Sequence, residues 1–268
     1  MAKQPLVPKP GEKIDLKDFD PRFHGDDEKE AGKAELDTLR DRLFDLQEML
    51  YAQREKSLLI VLQAMDAGGK DSTIRHVFTG VNPQGVRINS FKVPSDEELS
   101  HDFLWRIHQH TPAKGYIGIF NRSHYEDVLV VRVNELVPES VWKARYDHIN
   151  NFERLLHDNG TRILKFFLHI SKDEQKERFQ DRLDRPDKHW KFSLGDLPVR
   201  EQWDDYMHAF EDAIAHCNTD YAPWHIVPAD RKWYRNLTVM RTIIRTLEDM
   251  DLAYPEPEDN LEGVVIPD

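Results

Sequence analysis

From residue 30 onward the chain alternates two hydrophobic rhythms. Leu36, Leu39, Leu43, Leu46 and Leu50 fall three and four apart, a single apolar stripe that predicts a helix over 30–56. The run SLLIVLQAM (57–65) is apolar at almost every position and has the length of a strand covered on both faces. A short helix is predicted from about Lys70 to Phe78, a strand at VRINSF (86–91), and a helix over 95–110 opened by a capping box of Ser95 and Glu98. GYIGIF (115–120) reads as a third strand. A long helix over 138–160 starts at Pro138 and stops at Gly160. RILKFFLHI (162–170) is a fourth strand, followed by a helix over 171–183 and a polar, aromatic, proline-broken loop over 184–198. A helix over 200–217, a fifth strand at WHIVPA (224–229) and a helix over 231–250 complete the pattern.

Strands separated by helices predict a mostly parallel five-stranded sheet with helices on both faces. Ligands on such sheets sit at the carboxyl ends of the strands. At 268 residues the chain suits one large α/β domain with helical additions, or two small domains. Residues 1–29, rich in Pro, Lys and Asp, read as an extended arm, and the stretch from 253 to 268 as an acidic tail.

Charge narrows the classes. A formal net charge of -12 repels polyanions at long range, which argues against nucleic acid and membrane surfaces as partners. A polyanionic ligand then requires locally clustered cations. One cysteine, Cys217, excludes an intramolecular disulfide and a cysteine-based metal site. The N-terminal stretch lacks the apolar core of a signal peptide, and no apolar run has the length of a membrane span. A reducing cytoplasm is the expected location.

The chemistry gathers at strand ends. After the first strand comes DAGGKDST (66–73), a glycine turn opening a helix. There, successive backbone N–H groups and the helix N-terminus can face phosphate oxygens while Lys70 adds a point charge. Ala67, Gly68, Gly69, Lys70, Asp71 and Ser72 form the candidate cradle, with Arg75 one turn on and Lys92 after the second strand. Ala64 stands where the phosphate-loop pattern has its first Gly, and Asp71 where it has Ser or Thr. A carboxylate in such a loop repels phosphate unless a metal joins them, so Asp66 reads as a Mg²⁺ ligand or a catalytic base.

After the third strand, FNRSHYED (120–127) offers Arg122 to the transferring phosphate. Glu126 or Asp127 is the expected metal ligand there, since Asn121 is not a carboxylate. The stretch 178–196 carries Arg178, Arg182, Arg185, Lys188 and Lys191 among aromatic residues, the composition of a lid that closes cations over phosphates. His101, His108 and His110 read as surface residues of a helix, and Cys217 as a core filler.

With these residues in view, the chain from about 30 to 250 resembles the polyphosphate kinase 2 family, most closely its class III. The resemblance is carried by MDAGGKDSTIRHVFTGVNPQG (65–85), FNRSHYEDVLVVRV (120–133), LHISKDEQKERFQDRLDRPDKHWKF (168–192) and PWHIVPADRKWYRN (223–236). It implies a three-layer α/β/α P-loop kinase domain over 30–252 with a helical lid at about 178–198. It also implies Mg²⁺-dependent transfer of phosphoryl groups between inorganic polyphosphate and AMP, ADP and ATP, with Mn²⁺ as the alternative metal. The implied catalytic residues are Asp66, Lys70, Arg122 and Arg182, and Asn121, Arg122, His124, Tyr125 and Glu126 are the candidates for nucleotide contact. Asp66, Asn121, Glu126 and Asp127 are the candidates for metal. Other classes carry Asp where Asn121 stands, which leaves the second metal ligand open. The family implies a homo-oligomer, dimer or tetramer, which the leucine stripe would allow. An ATP-dependent small-molecule kinase and a non-catalytic polyphosphate or nucleotide sensor are the competing readings.

Overall fold

The computed structural model describes residues 7–257, 259–260 and 262–267; the first six residues of the expected arm and positions 258, 261 and 268 of the tail lie outside it. Helix α1 (Lys29–Gln53) buries Leu36, Leu43, Leu46 and Leu50, with Leu39 partly covered. It ends at Arg54, which takes the left-handed conformation. Strand β1 (Ser57–Gln63) is buried at every position, as a run of SLLIVLQ requires. Helix α2 (Lys70–Val77) follows the glycine turn, and β2 (Val86–Ser90) is a half-exposed strand.

The helix expected over 95–110 is two pieces, α3 (Asp96–Ser100) and α4 (Trp105–His108). The Ser95–Glu98 capping box is formed, but the Asp102 carboxylate accepts from the Leu104 N–H, a local turn that competes with helix continuation. Strand β3 (Ile117–Asn121) is wholly buried. A 3₁₀ turn at His124–Val128 and a short helix α5 (Val130–Val133) follow, neither signalled by periodicity. Helix α6 (Glu139–Asp158) has Pro138 at its N-cap, and Gly160 at φ 89° turns the chain into β4 (Thr161–His169).

Helix α7 (Lys172–Asp184) is capped by the Ser171 hydroxyl. The stretch expected as a loop contains a 3₁₀ helix at Pro186–Lys191 and the start of α8 (Asp196–Glu201). Pro198 is tolerated because it sits in the first turn of α8, where its missing N–H has no intrahelical partner to lose. Helix α9 (Trp203–Cys217), β5 (Trp224–Pro228) and α10 (Lys232–Glu248) finish the domain.

All four strand pairings are parallel, in the order β2-β3-β1-β4-β5. Helices α1, α2 and α10 form one layer; α5, α6 and α9 form the other. The leucine stripe of α1 belongs to the seam with α10. At that seam a Cβ on Gly32 would lie 2.7 Å from the Trp233 ring, so glycine sets the approach of the two helices. The stripe is therefore spent within the protomer and is not free for a second subunit. The chain reverses direction across the sheet at β1, which has β3 on one side and β4 on the other. This is the switch point at whose carboxyl edge ligands settle. Among the described residues no helix is long and apolar enough to cross a membrane.

Candidate active site at the phosphate loop

Leaving β1, the chain turns through Ala67 at φ 59° and Gly69 at φ 101° before entering α2. Two left-handed residues this close make a concave run of N–H groups, a nest for an anion at a helix N-terminus. Gly68 is required for space: a Cβ there would lie 2.8 Å from the Met65 carbonyl and collide with the Ala64 side chain. Gly69 is required for both conformation and space, since a Cβ would collide with the Arg235 guanidinium behind it.

The loop forms one wall of a cleft of about 500 Å³. Asp66, Ala67, Gly68, Gly69, Lys70, Asp71 and Ser72 line it, with Lys92, Asn121 and Arg122 from the neighbouring strand ends and Arg182, Trp190 and Lys191 from the lid. Arg122 sits at φ 62°, a left-handed conformation that throws its side chain back over the loop. Its Nη2 donates to Asp66 Oδ1 at 2.8 Å. Burial works against the Arg122 charge, but Glu126 and Asp66 outweigh it and hold its pKa above the ordinary value. Lys70 Nζ donates to the Ala64 carbonyl at 2.8 Å. Burial lowers its pKa, and Arg122 adds to that effect against Asp66 and Glu126.

A recess of about 80 Å³ adjoins the cleft, where Asp66, Arg122 and Glu126 meet Tyr206 and Phe210. Glu126 is anchored by Gln63 at the end of β1. With the Gln63 amide nitrogen 3.0 Å from Glu126 Oε1, its oxygen accepts from Ser123. Burial raises the Glu126 pKa despite Arg122 and Lys70. Asn121 turns its amide nitrogen to Asp71 Oδ1.

Several expected residues stand elsewhere. His124 and Tyr125 have no exposed surface. His124 Nε2 meets Glu153 Oε1 at 3.1 Å and the Tyr125 hydroxyl donates to the same oxygen, while Lys165 Nζ lies 2.6 Å from Glu153 Oε2. Both rings belong to a buried polar network in the core, and the expectation that they touch a nucleotide is corrected. Asp127 pairs with Arg145 at 2.9 Å and does not line the cleft, so it is withdrawn as a metal ligand. Burial outweighs Arg145 and pushes its pKa up to about 6. Arg178 is buried beneath the loop with Glu174, not among the cations that face the cleft. Arg75 is exposed and does not line the cleft, and Lys188 is paired with Asp181 away from it.

Some residues in or behind the cleft were not singled out by the sequence. Asp196 enters the cleft from α8, 3.8 Å from Arg182. Gln175 and Arg235 lie against the back of the loop. Gln175 and Arg178 are three apart, on one face of α7, and Gln175 and Arg235 stand in the 168–192 and 223–236 stretches that carry the resemblance, which are the signals that pointed there. A second cavity of about 430 Å³, between residues 15–21 and α9, contains none of the phosphate-loop residues.

A divalent ion of the Mg²⁺ type is held by one or two carboxylates together with substrate phosphates, not by an all-protein cage. Among the described residues no group of three acidic, His or Cys side chains forms such a cage. Asp66 lines the cleft and Glu126 the adjoining recess, which makes them the carboxylates placed to hold such an ion.

Comparison with known proteins decides the family. A sequence model described as Polyphosphate kinase 2 matches residues 26–255. The chain belongs to the polyphosphate kinase 2 family. An "AMP/ADP-polyphosphate phosphotransferase" of Meiothermus ruber is 56% identical over 261 residues, 96% of this chain and 97% of that one. An "ADP-polyphosphate phosphotransferase" of Rhodopseudomonas palustris is 48% identical, covering 92% of this chain and 90% of its own. The crystal structure of a polyphosphate kinase 2 from Arthrobacter aurescens TC1 superposes with a TM-score of 0.91 at 42% identity, over 97% of this chain and 96% of that chain. Within the family frame, the phosphate loop, the end of β3 and the lid are the parts that converge on one cleft.

Proposed function

We propose that this chain transfers the terminal phosphoryl group of inorganic polyphosphate to AMP and to ADP, giving ADP and then ATP, reversibly and with a divalent metal. Mg²⁺ is the metal of choice and Mn²⁺ the alternative. The observation that carries the reading is the local reversal of charge. In a chain of net -12, the cations Lys70, Lys92, Arg122, Arg182 and Lys191 converge on one cleft over a phosphate loop. Relatives that act on AMP and ADP, or on ADP, match nearly the whole chain.

The accepting oxygen is a nucleotide phosphate oxygen, already ionised, so no strong general base is needed. What remains is positioning and charge neutralisation. Lys70 and Arg122 flank the place where charge develops, and the N–H groups of 67–70 hold the chain phosphates. Arg182, Lys191 and Lys92 line the outer cleft for the rest of the polyphosphate. Asp66, with Glu126 behind it, would hold the metal, which would supply charge neutralisation at the phosphates. A polyphosphate chain held by charge need not have a fixed register. It can therefore slide by one unit to serve an acceptor that is longer by one phosphate.

The test is purified enzyme with AMP, polyphosphate and Mg²⁺, free of adenylate kinase and followed by chromatography. ADP rises first and ATP second. ADP that accumulates without ATP would sink the dual-acceptor reading. The reading extends to a cytoplasmic homo-oligomer, dimer or tetramer, which light scattering coupled to size exclusion would measure.

A further inference from the structure

A loop that aims its N–H groups at a ligand must turn its carbonyl oxygens the other way. Those carbonyls then face protein, and a buried acceptor left without a donor is destabilising. Here three successive carbonyls are met from behind. The Asp66 carbonyl accepts from Gln175 Nε2 at 2.9 Å, the Ala67 carbonyl from Arg178 Nη1 at 2.8 Å, and the Gly68 carbonyl from Arg235 Nη1 at 3.4 Å. Gln175 and Arg235 have no exposed surface, and Arg178 is 8% exposed.

Each donor is itself held. Arg200 Nη1 donates to Gln175 Oε1 at 3.0 Å, which fixes the amide with its nitrogen toward Asp66. Arg178 is gripped by Glu174 at 2.7 Å and by the carbonyls of Ala229 and Asp230. Arg235 donates to Asn236 Oδ1 and to the Ser72 hydroxyl, and among the described residues it makes no carboxylate ion pair. A buried guanidinium without a carboxylate is costly to keep. Burial and the charge of Arg178 push its pKa down to about 9. It stands directly behind Gly69, in the space that a Cβ would need. The left-handed turn at Ala67 is unfavourable for a residue with a Cβ. A charge-assisted hydrogen bond from Arg178 to its carbonyl is of the stronger kind and offsets it.

We propose that Gln175, Arg178 and Arg235 are positioning residues that hold the phosphate-loop amides toward polyphosphate from beneath. They touch the loop's back and act through it. Gln175 and Arg178 lie on α7, the helix that also carries Arg182 into the cleft, so the loop and the lid share one rigid support. The proposal rests on the reading of this loop as the polyphosphate site.

The experiment measures tripolyphosphate binding by calorimetry, together with the Michaelis constants for polyphosphate and AMP. The proteins are wild type, Lys70→Ala, Gln175→Met, Arg235→Met and Arg235→Lys, each checked for folding by circular dichroism. Gln175→Met and Arg235→Met are expected to weaken tripolyphosphate about tenfold and to raise the polyphosphate KM equally, with the AMP KM within about twofold. Arg235→Lys, which keeps the charge but loses the fork, falls between. A purely structural role would lower the melting temperature and raise both KM values together. That result, or unchanged tripolyphosphate binding in the folded variants, overturns the proposal. If the methionine variants do not fold, Arg235→Lys and Gln175→Asn are read by the same criteria. Wild type that fails to bind tripolyphosphate, or Lys70→Ala that binds it as well as wild type, would instead overturn the loop as the polyphosphate site.

Discussion

The phosphate loop and the lid face each other across one cleft, both carry cations, and they are built in opposite ways. Behind the loop, every inward carbonyl from Asp66 to Gly68 meets a buried side-chain donor. The lid is largely open to solvent, with Trp190 79% exposed, and it satisfies itself locally. Lys188 pairs with Asp181, Arg185 with Asp187, and Arg182 with the Lys191 carbonyl. A desolvated charge acts strongly and resists salt, whereas an exposed one is screened over about 8–10 Å. The comparison teaches that the two sets of cations do different work. Under the proposed function, those of the loop would act on the reacting phosphoryl and those of the lid on the rest of the chain.

The largest expected effect tests the loop side. Lys70→Ala should lower turnover at least about 100-fold in a folded protein, a loss of roughly 3 kcal/mol of transition-state stabilisation. Near-normal turnover would erase the distinction between the two regions. Asp66→Asn should lower turnover roughly 10- to 100-fold and shift the Mg²⁺ titration to higher concentration. An unchanged titration would make Asp66 only the partner of Arg122.

On the lid side, Arg182→Ala should reduce kcat/KM for polyphosphate by about tenfold, because Arg182 lines the cleft and is more covered than Lys191, the other lid cation that lines it. Lys191→Ala should raise the polyphosphate KM only about two- to fivefold, and the gap from wild type should close as salt rises. Lys188→Ala, whose ammonium is held by Asp181 outside the cleft, should change it less than about twofold. A salt-independent gap for Lys191→Ala would show that the lid is as desolvated as the loop.

Asp127, paired with Arg145 and not lining the cleft, is a control that belongs to neither region. Its pKa is raised to about 6 in the folded protein, so the folded state binds this proton more tightly than the unfolded chain does. Its contribution to stability is therefore fully present at acid pH and is lost as pH rises through about 6. Acidifying from pH 7 to 5 should stabilise the protein by about 1 kcal/mol through this group. Burial lowers the pKa values of His124, His169 and His225, which pull the other way. The difference in melting temperature between wild type and Asp127→Asn at the two pH values isolates the effect. The polyphosphate KM of Asp127→Asn should stay near wild type.

The strands and the phosphate loop were legible because their signals are local: SLLIVLQ can only be a covered strand, and the Gly68–Gly69–Lys70 turn must follow it. The split of the helix over 95–110 was not legible, since the capping box forms as expected and it is one Asp102 side chain, turning the chain at Leu104, that competes with continuation of the helix. His124 and Tyr125 misled because they stand in the 120–133 stretch that carries the resemblance, where local sequence does not separate a cleft residue from a core one. Their true partners, Glu153 and Lys165, come from α6 and β4. Arg178 was read by charge alone, and what decides its role is a carbonyl 111 residues away in the chain. The backing of the loop is a tertiary fact, written in three residues from two helices.

The buried network around Glu153 has a consequence for how the chain finds its register. Lys165 of β4, Glu153 of α6, the Tyr125 hydroxyl and the Cys217 carbonyl are drawn together with no exposed surface on either charged side chain. Side chains along a strand alternate between faces, so a one-residue slip of β4 would carry Lys165 to the opposite face. It would leave Glu153 ionised in the core without its partner, an error that costs about 3–5 kcal/mol. The pair thus works as a key cut for one alignment. A misthreaded sheet cannot close around it, and the strand that flanks the phosphate-loop strand is proofread while the core assembles.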